Sequence, residues 1–360
     1  MKYDIIIVGA GIIGSATAYY LSKTRKKILL LDQFTIENNM NSSQDYSRTF
    51  RYEYGEDEFY TNLAVESLKL WKDLENESGK KLYFQCGVLS IGESDNDYAM
   101  KGYKTLKKLG HRVDLLKGHY LKKKFPQFSA NFGVLDYHGG ILDASMAVKI
   151  FIELAIRNKV RVLENSKVNE IQNNAVILES GQRIECEKVV VTCGAWTSKL
   201  IKVPIKVTKQ QLVYLKPKNI ERFKENNFPI FAYLDKGFYG FPVHGIAAVK
   251  ISNHIPGKFV NPDTVNRTVD EEFIEKCRCF LKEHVPELAD AKVIKTKTCL
   301  YTMTADGDFI IDKINNDLII GAGFSGHGFK FALLIGKILS DLTLNKKIDY
   351  DISRFRIDRF

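Results

Sequence analysis

The sequence predicts an α/β chain of two domains. One is Rossmann-like, with a GxGxxG turn; the other is interleaved with it and built on a mixed or antiparallel sheet. Three observations predict this. A glycine-rich turn, Gly9-Ala-Gly11-Ile-Ile-Gly14, follows the apolar, β-branched run Tyr3–Val8. A second glycine-rich loop, Gly321-Ala-Gly-Phe-Ser-Gly-His-Gly-Phe-Lys330, follows the apolar run 318–320 and opens onto a helical pattern. Between them, residues 210–252 alternate in the manner of antiparallel strands. Two such loops, separated by most of the chain, point to one cofactor held from both ends of the sequence.

Taken in order, Tyr3–Val8 reads as a strand covered on both faces of a parallel sheet. Gly9 allows the tight turn, Gly11 lets backbone approach a pyrophosphate, and Gly14 lets the following helix, 15–21, pack on the strand. The N-terminus of that helix presents N–H groups and a positive dipole end to phosphates. A second apolar strand, 27–31, ends in Asp32, about twenty residues on, where an acid accepts hydrogen bonds from a ribose hydroxyl and repels a 2′-phosphate. This argues against NADP and leaves FAD and NAD undistinguished. Helical spacing of Leu63, Val65, Leu68, Leu70 and Trp71 marks 59–74. Residues 85–91 read as a strand, 100–109 and 146–155 as helices, and 160–163 and 187–191 as strands. Strands at 238–242 and 247–251 belong to the alternating region. Parallel-type elements therefore fill 1–83, 146–200 and 296–360, the expected cofactor domain, while 84–145 and 201–295 form the expected substrate domain.

Composition narrows the classes. With 360 residues, 45% of them hydrophobic, the chain can bury a large core in two domains. No apolar run reaches membrane-spanning length. The first residues run into a strand, which leaves no room for a signal peptide. The six cysteines (86, 186, 193, 277, 279 and 299) lack framework spacing, so a reducing, cytoplasmic setting is expected. Cys277-Arg-Cys279 with His284 matches no zinc pattern and lies in a helical stretch, so no metal is expected. A net charge of +10, with clusters such as Lys107-Lys108 and Lys122-Lys123-Lys124, reads as a solvated basic face that attracts small anions. No nucleic-acid module interleaves basic and aromatic residues.

With both glycine loops and Cys299-Leu-Tyr301 in view, the whole chain resembles the monomeric sarcosine oxidase family, a branch of the D-amino-acid-oxidase-like flavoproteins. Four patches carry the resemblance: 9–32; Ser47-Arg-Thr-Phe-Arg-Tyr-Glu-Tyr-Gly-Glu56; Gly194-Ala-Trp-Thr-Ser-Lys-Leu200; and 299–330. The last is the most specific. The resemblance implies FAD, held covalently by a thioether from Cys299, in its thiolate form a nucleophile. It implies further cofactor contacts from Gly9, Gly11, Gly14, Asp32, Ser42, Ser43, Arg48, Val168, Trp196, Gly326, Gly328 and Lys330. It places Arg51 and Lys330 on the substrate carboxylate, as a planar fork and a point charge. Arg48 lies against the flavin, and Lys250 helps reduced flavin react with oxygen, because a fixed cation in a dry site stabilises developing superoxide charge. His254 matches an active-site position, although a lone histidine is more often structural. Tyr239 and Tyr301 line the substrate cavity or simply pack.

One patch departs from the family. Where many members carry His-Gly-Asp, this chain reads Gln44-Asp45-Tyr46. Gln44 then puts a neutral amide beside the amine in place of an imidazole, which puts sarcosine itself in doubt and leaves N-methyl, cyclic and larger N-alkyl amino acids open. The implied activity is an FAD-dependent oxidase of a secondary-amine amino acid. It oxidises the C–N bond to an imine that hydrolyses, and reduces O2 to H2O2. The expected partners are a small-molecule amino acid and O2, with no nucleic acid and no membrane, in a monomer. The alternatives are a dehydrogenase with another electron acceptor, an oxidase of glycated or other N-alkyl amino acids, and an RNA-directed flavoprotein.

Overall fold

The computed structural model describes residues 2–360. Its first sheet has a parallel centre, in the order Arg161–Leu163, Ile28–Leu31, Tyr3–Val8, Arg183–Val191. The far edge of Arg183–Val191 is shared between two partners. Its first residues pair antiparallel with Ala175–Leu178 of a hairpin, and its last pair parallel with Leu318–Ala322. Helices Ile12–Ser22, Ala144–Arg157 and Ala332–Thr343 cover one face, and Glu58–Ser78 packs on the last of them. Both faces of the central strands are buried, which is why they read as unbroken apolar runs.

Gly14 shows why the first turn needs glycine. A Cβ there would lie 1.8 Å from the Gly9 carbonyl oxygen and 2.6 Å from Thr192 Oγ1. Any side chain would push the helix off the strand that it must cover.

The second sheet is largely antiparallel and runs Lys292–Met303, Lys206–Lys216, Val249–Asn253, Phe238–Phe241, Ile230–Tyr233, Val88–Gly92, Phe132–Asp136, Val113–Lys117. The single parallel junction joins Ile230–Tyr233 to Val88–Gly92. Helix Glu271–His284 and the 3-10 turn Pro286–Leu288 close its core, which holds Phe228, Phe231 and Phe280. The boundary expected at 296 falls inside Lys292–Met303, which pairs with Lys206–Lys216 along its length. A third, small sheet joins Ser47–Phe50, Gly140–Asp143 and Tyr83–Phe84.

One expected element is shorter than read. The run 85–91, read as a single strand, is a strand only from Val88, because Gly87, with a φ of 79°, turns the chain just before it. Tyr83–Phe84 belongs to the small sheet and Val88–Gly92 to the large one. A buried apolar run looks the same in either sheet, so its composition could not mark the break.

His244 ties segments from different parts of the chain. Its Nδ1 meets Glu225 and its Nε2 lies 3.8 Å from Asp143, the N-cap of helix Ala144–Arg157. Burial opposes its charge, but the two carboxylates outweigh that and raise its pKa to about 9. A raised value means that the stabilisation is complete below the ordinary histidine pKa and is lost as pH rises through about 9. His244→Gln should therefore lower Tm by about 2–4 °C at pH 6 and much less at pH 10, measured by thermal melts of the two proteins.

Candidate active site

The two glycine loops and the large sheet converge on one cavity of about 670 Å³. Its wall brings together most of the residues expected from sequence: Gly9, Gly11, Asp32, Ser42, Ser43, Arg48, Arg51, Val168, Trp196, Tyr239, Lys250, His254, Cys299, Tyr301, Gly326, Gly328 and Lys330. Gly14 is not on the wall and acts through packing. Gln44 is not on it either, which corrects its expected place beside the substrate. Its amide donates to the Ile36 carbonyl at 2.9 Å and accepts from Ser145 Oγ at 3.0 Å. Both partners lie away from the cavity, so the buried amide is spent on loop structure. Tyr46 is also off the wall, packed edge-on against Tyr214.

At the nucleotide end, Asp32 accepts from Ala10 N at 2.7 Å and from Phe34 N at 2.9 Å, which fixes the carboxylate against the glycine turn. Ser43 Oγ accepts from Ile12 N at 2.9 Å and so takes the first N–H of the helix. Ser42 Oγ donates to the Leu300 carbonyl and anchors the same loop to the strand that carries Cys299. Trp196 is held by a 2.7 Å bond to Asp263 and by the ring of Phe34.

At the centre, Arg48 and Lys250 share one carboxylate. Asp45 Oδ2 accepts from Arg48 at 2.8 Å and from Lys250 Nζ at 3.0 Å, and Oδ1 accepts from the Tyr214 hydroxyl. Burial opposes the charge on Asp45, but Lys250 and Arg48 outweigh it and hold the carboxyl far below the usual range. Burial lowers Lys250 to about 8, against the pull of Asp45. Cys299 is buried beside them. Burial pushes its thiol up, while Arg48, Lys297 and Lys250 favour the thiolate.

At the far end, Arg51 donates to the Tyr98 hydroxyl at 2.8 Å and to the Glu53 carbonyl. Lys330 Nζ donates to Tyr54 at 2.9 Å and to the His327 carbonyl at 3.0 Å. Among the described residues neither forms an ion pair, and Lys330 falls well below the ordinary lysine value through burial and its neighbour Arg51. Tyr239 and Tyr301 meet at 3.3 Å through their hydroxyls, and burial keeps both protonated. His254 bonds the Gly237 carbonyl at 2.8 Å and burial holds its pKa down. His327, lowered to about 3 mainly by burial, is neutral.

Sequence reasoning missed Asp45, Tyr54, Tyr98, His327 and Lys297. Tyr54 and His327 lay inside the quoted patches. Tyr98 carried no local signal, because it opens a separate helix, Tyr98–Lys108, 47 residues beyond Arg51. Among the described residues, one cluster has metal-ligand geometry, Glu93, Glu283 and His284, but Lys236 Nζ reaches these same side chains at 3.0, 3.2 and 3.4 Å. No described helix is long and apolar enough to cross a membrane.

The family described as "DAO: FAD dependent oxidoreductase" matches residues 4–342. The monomeric sarcosine oxidase of Bacillus sp. (strain B-0618) is 33% identical, over 99% of this chain and 96% of its own. The peroxisomal sarcosine oxidase of Homo sapiens is 32% identical, with the same coverage. Among solved structures, the L-proline dehydrogenase of P. horikoshii superposes with a TM-score of 0.88 at 22% identity, over 100% of this chain and 98% of that one. A glycine turn with its acid, a cation-lined cavity and relatedness along nearly the full length thus agree: the chain belongs to the FAD-dependent oxidoreductases, in the monomeric sarcosine oxidase family.

Proposed function

We propose that the chain oxidises amino acids with a secondary amine, N-methyl or cyclic, at the C–N bond, with FAD as cofactor and O2 as final acceptor. The observation that carries this reading is the pair Arg51 and Lys330. Both are cations on the cavity wall, Lys330 buried and Arg51 half-buried, that meet only neutral oxygens of the protein. Burying such groups without a counter-ion is costly, and a substrate carboxylate removes that cost. Arg51 offers the planar fork that takes a carboxylate in two bonds, and Lys330 adds a point charge that an anion restores.

The residues fit the cofactor. Asp32 is pinned beside the glycine turn where a ribose would lie, the close contact at Gly14 holds the turn in shape, and Cys299 faces the same cavity. When bound, FAD supplies the acceptor for a hydride equivalent from the substrate and returns the electrons to oxygen. Neutral His254 and His327 add no positive charge around the amine, which must itself be unprotonated to assist oxidation. Tyr239 and Tyr301, kept as phenols by burial, close the wall next to Cys299. The imine product is hydrolysed by water. For an N-methyl substrate this gives formaldehyde and the primary amino acid, with hydrogen peroxide from oxygen. The same reading gives Cys299 a thioether to the flavin ring, with Arg48, Lys297 and Lys250 favouring the thiolate that forms it. Six unpaired cysteines support a cytoplasmic setting, and we take the working form to be a monomer.

Arg51→Ala should raise KM for carboxylate-bearing amines by about 2–4 kcal/mol, read by steady-state kinetics on a panel of N-methyl, cyclic and glycated amino acids. An unchanged KM removes Arg51 from the substrate site. Silence of the whole panel, with flavin bound, overturns the oxidase reading. Cys299→Ser should leave the flavin in the supernatant after acid precipitation, whereas the native protein carries it into the pellet. Yellow pellets from both proteins reject the linkage.

A further inference from the structure

We propose that Asp45 is a positioning residue, whose carboxylate anchors the Lys250 ammonium and the Arg48 guanidinium beside the flavin and keeps Lys250 charged for the reaction with oxygen. The proposal rests on the reading of the cavity as a flavin oxidase site. Asp45 itself is off the cavity wall, while both cations are on it. Its side chain is 2% exposed and accepts three donors: Arg48, Lys250 and Tyr214. Lys250 Nζ gives a second bond to the Ser47 carbonyl at 2.7 Å and sits 3.8 Å above the Phe241 ring. An ammonium has three N–H groups. Two are thus fixed into the protein, which leaves one for the cavity side.

Every other charged or titratable group near Lys250 leaves Asp45 as its main anchor. Arg48 repels it, Lys297 adds a further cation near Asp45, and Cys299, as the thioether of the proposed holoenzyme, carries no charge. A buried lysine beside an arginine gives up its proton unless a carboxylate holds it. Oxygen reduction develops negative charge, which a fixed ammonium stabilises and a neutral amine does not. Asp45 thus works on oxygen through Lys250, without touching it.

The test needs no amine substrate, so it is separate from the test of the substrate reading. Holoenzyme is reduced with dithionite and mixed with oxygenated buffer in a stopped-flow instrument. Asp45→Asn should slow flavin reoxidation at pH 8 by about tenfold or more, and Lys250→Met should do the same. The rate should recover as pH falls to 6, where the amine regains its proton, so that the pH profile lies below that of the native enzyme on the pH axis. In a Lys250→Met background, Asp45→Asn should add less than about a twofold change. At pH 6 the flavin midpoint potential should move positive, since one buried negative charge is gone. The affinity for acetate, titrated by flavin absorbance, should change less than about twofold, since Arg51 and Lys330 are untouched.

Asp45→Ala provides a second route should the amide disturb the loop. Formate should restore part of its reoxidation rate at pH 8 by filling the vacated carboxylate position. Reoxidation of Asp45→Asn within twofold of native at pH 8, an equal slowing in the Lys250→Met background, or no response of Asp45→Ala to formate overturns the proposal.

Discussion

The cavity rests on an imbalance of buried charge. Arg48, Arg51, Lys250 and Lys330 all face it, and among the described residues only Asp45 forms an ion pair with any of them. Each buried cation costs several kcal/mol unless it is compensated. Arg48 and Lys250 share the Asp45 carboxylate, which offsets one of their two charges. Arg51 and Lys330 are held by a tyrosine hydroxyl and a backbone carbonyl each, which satisfy hydrogen bonds but supply no full negative charge. Glu53 lies close to Arg51, yet burial raises its carboxyl to about 7 and its side chain turns to Ser90. The second pair of cations therefore has no full negative charge from the protein, and on the proposed function a substrate carboxylate supplies it.

The large sheet makes this arrangement possible. Lys297, Cys299 and Tyr301 alternate along Lys292–Met303, so the period of two sends all three toward the same side of the strand. Register then sets their neighbours. Lys250 stands opposite Tyr214 on one side and Phe241 on the other, which is why one ring lies under the ammonium and the Tyr214 hydroxyl reaches the same carboxylate. The loop 41–46 is pulled onto this sheet by Ser42 at Leu300 and by Lys297 at the Gln44 carbonyl. Lys297, Cys299 and Tyr301 share one strand, so its register fixes their spacing.

Local pattern made much of this legible. The strand–turn–helix at 3–22 and Asp32 depend on contacts within thirty residues, and the sequence carries them as spacing. The residues around Arg51 were readable because they sit in one continuous patch. The ion pair between Asp45 and Lys250 spans 205 positions and has no local signature. Tyr98 reaches Arg51 from 47 residues away, in a helix with the ordinary pattern of a surface element. Pairings of this kind are fixed by how sheets meet, and a single sequence does not state that.

The triplet Gln44-Asp45-Tyr46 shows the difference most clearly. Read as sequence, its message is the amide, a neutral group in place of an imidazole beside the substrate. In the structure the amide faces Ile36 and Ser145, Tyr46 packs on Tyr214, and the carboxylate between them binds the two central cations. The triplet therefore bears on the charge of the oxygen side and not on the shape of the substrate. Around Arg51 stand Tyr98, its backbone held by Asp235 at 3.2 Å, and the neutral imidazole of His254, and on the proposed function selection among amines falls to these groups. Of the two pairs of cations on the cavity wall, one shares the Asp45 carboxylate and the other has no carboxylate partner among the described residues. On the proposed function, that asymmetry directs a substrate carboxylate to Arg51 and Lys330 and away from the pair that Asp45 already holds.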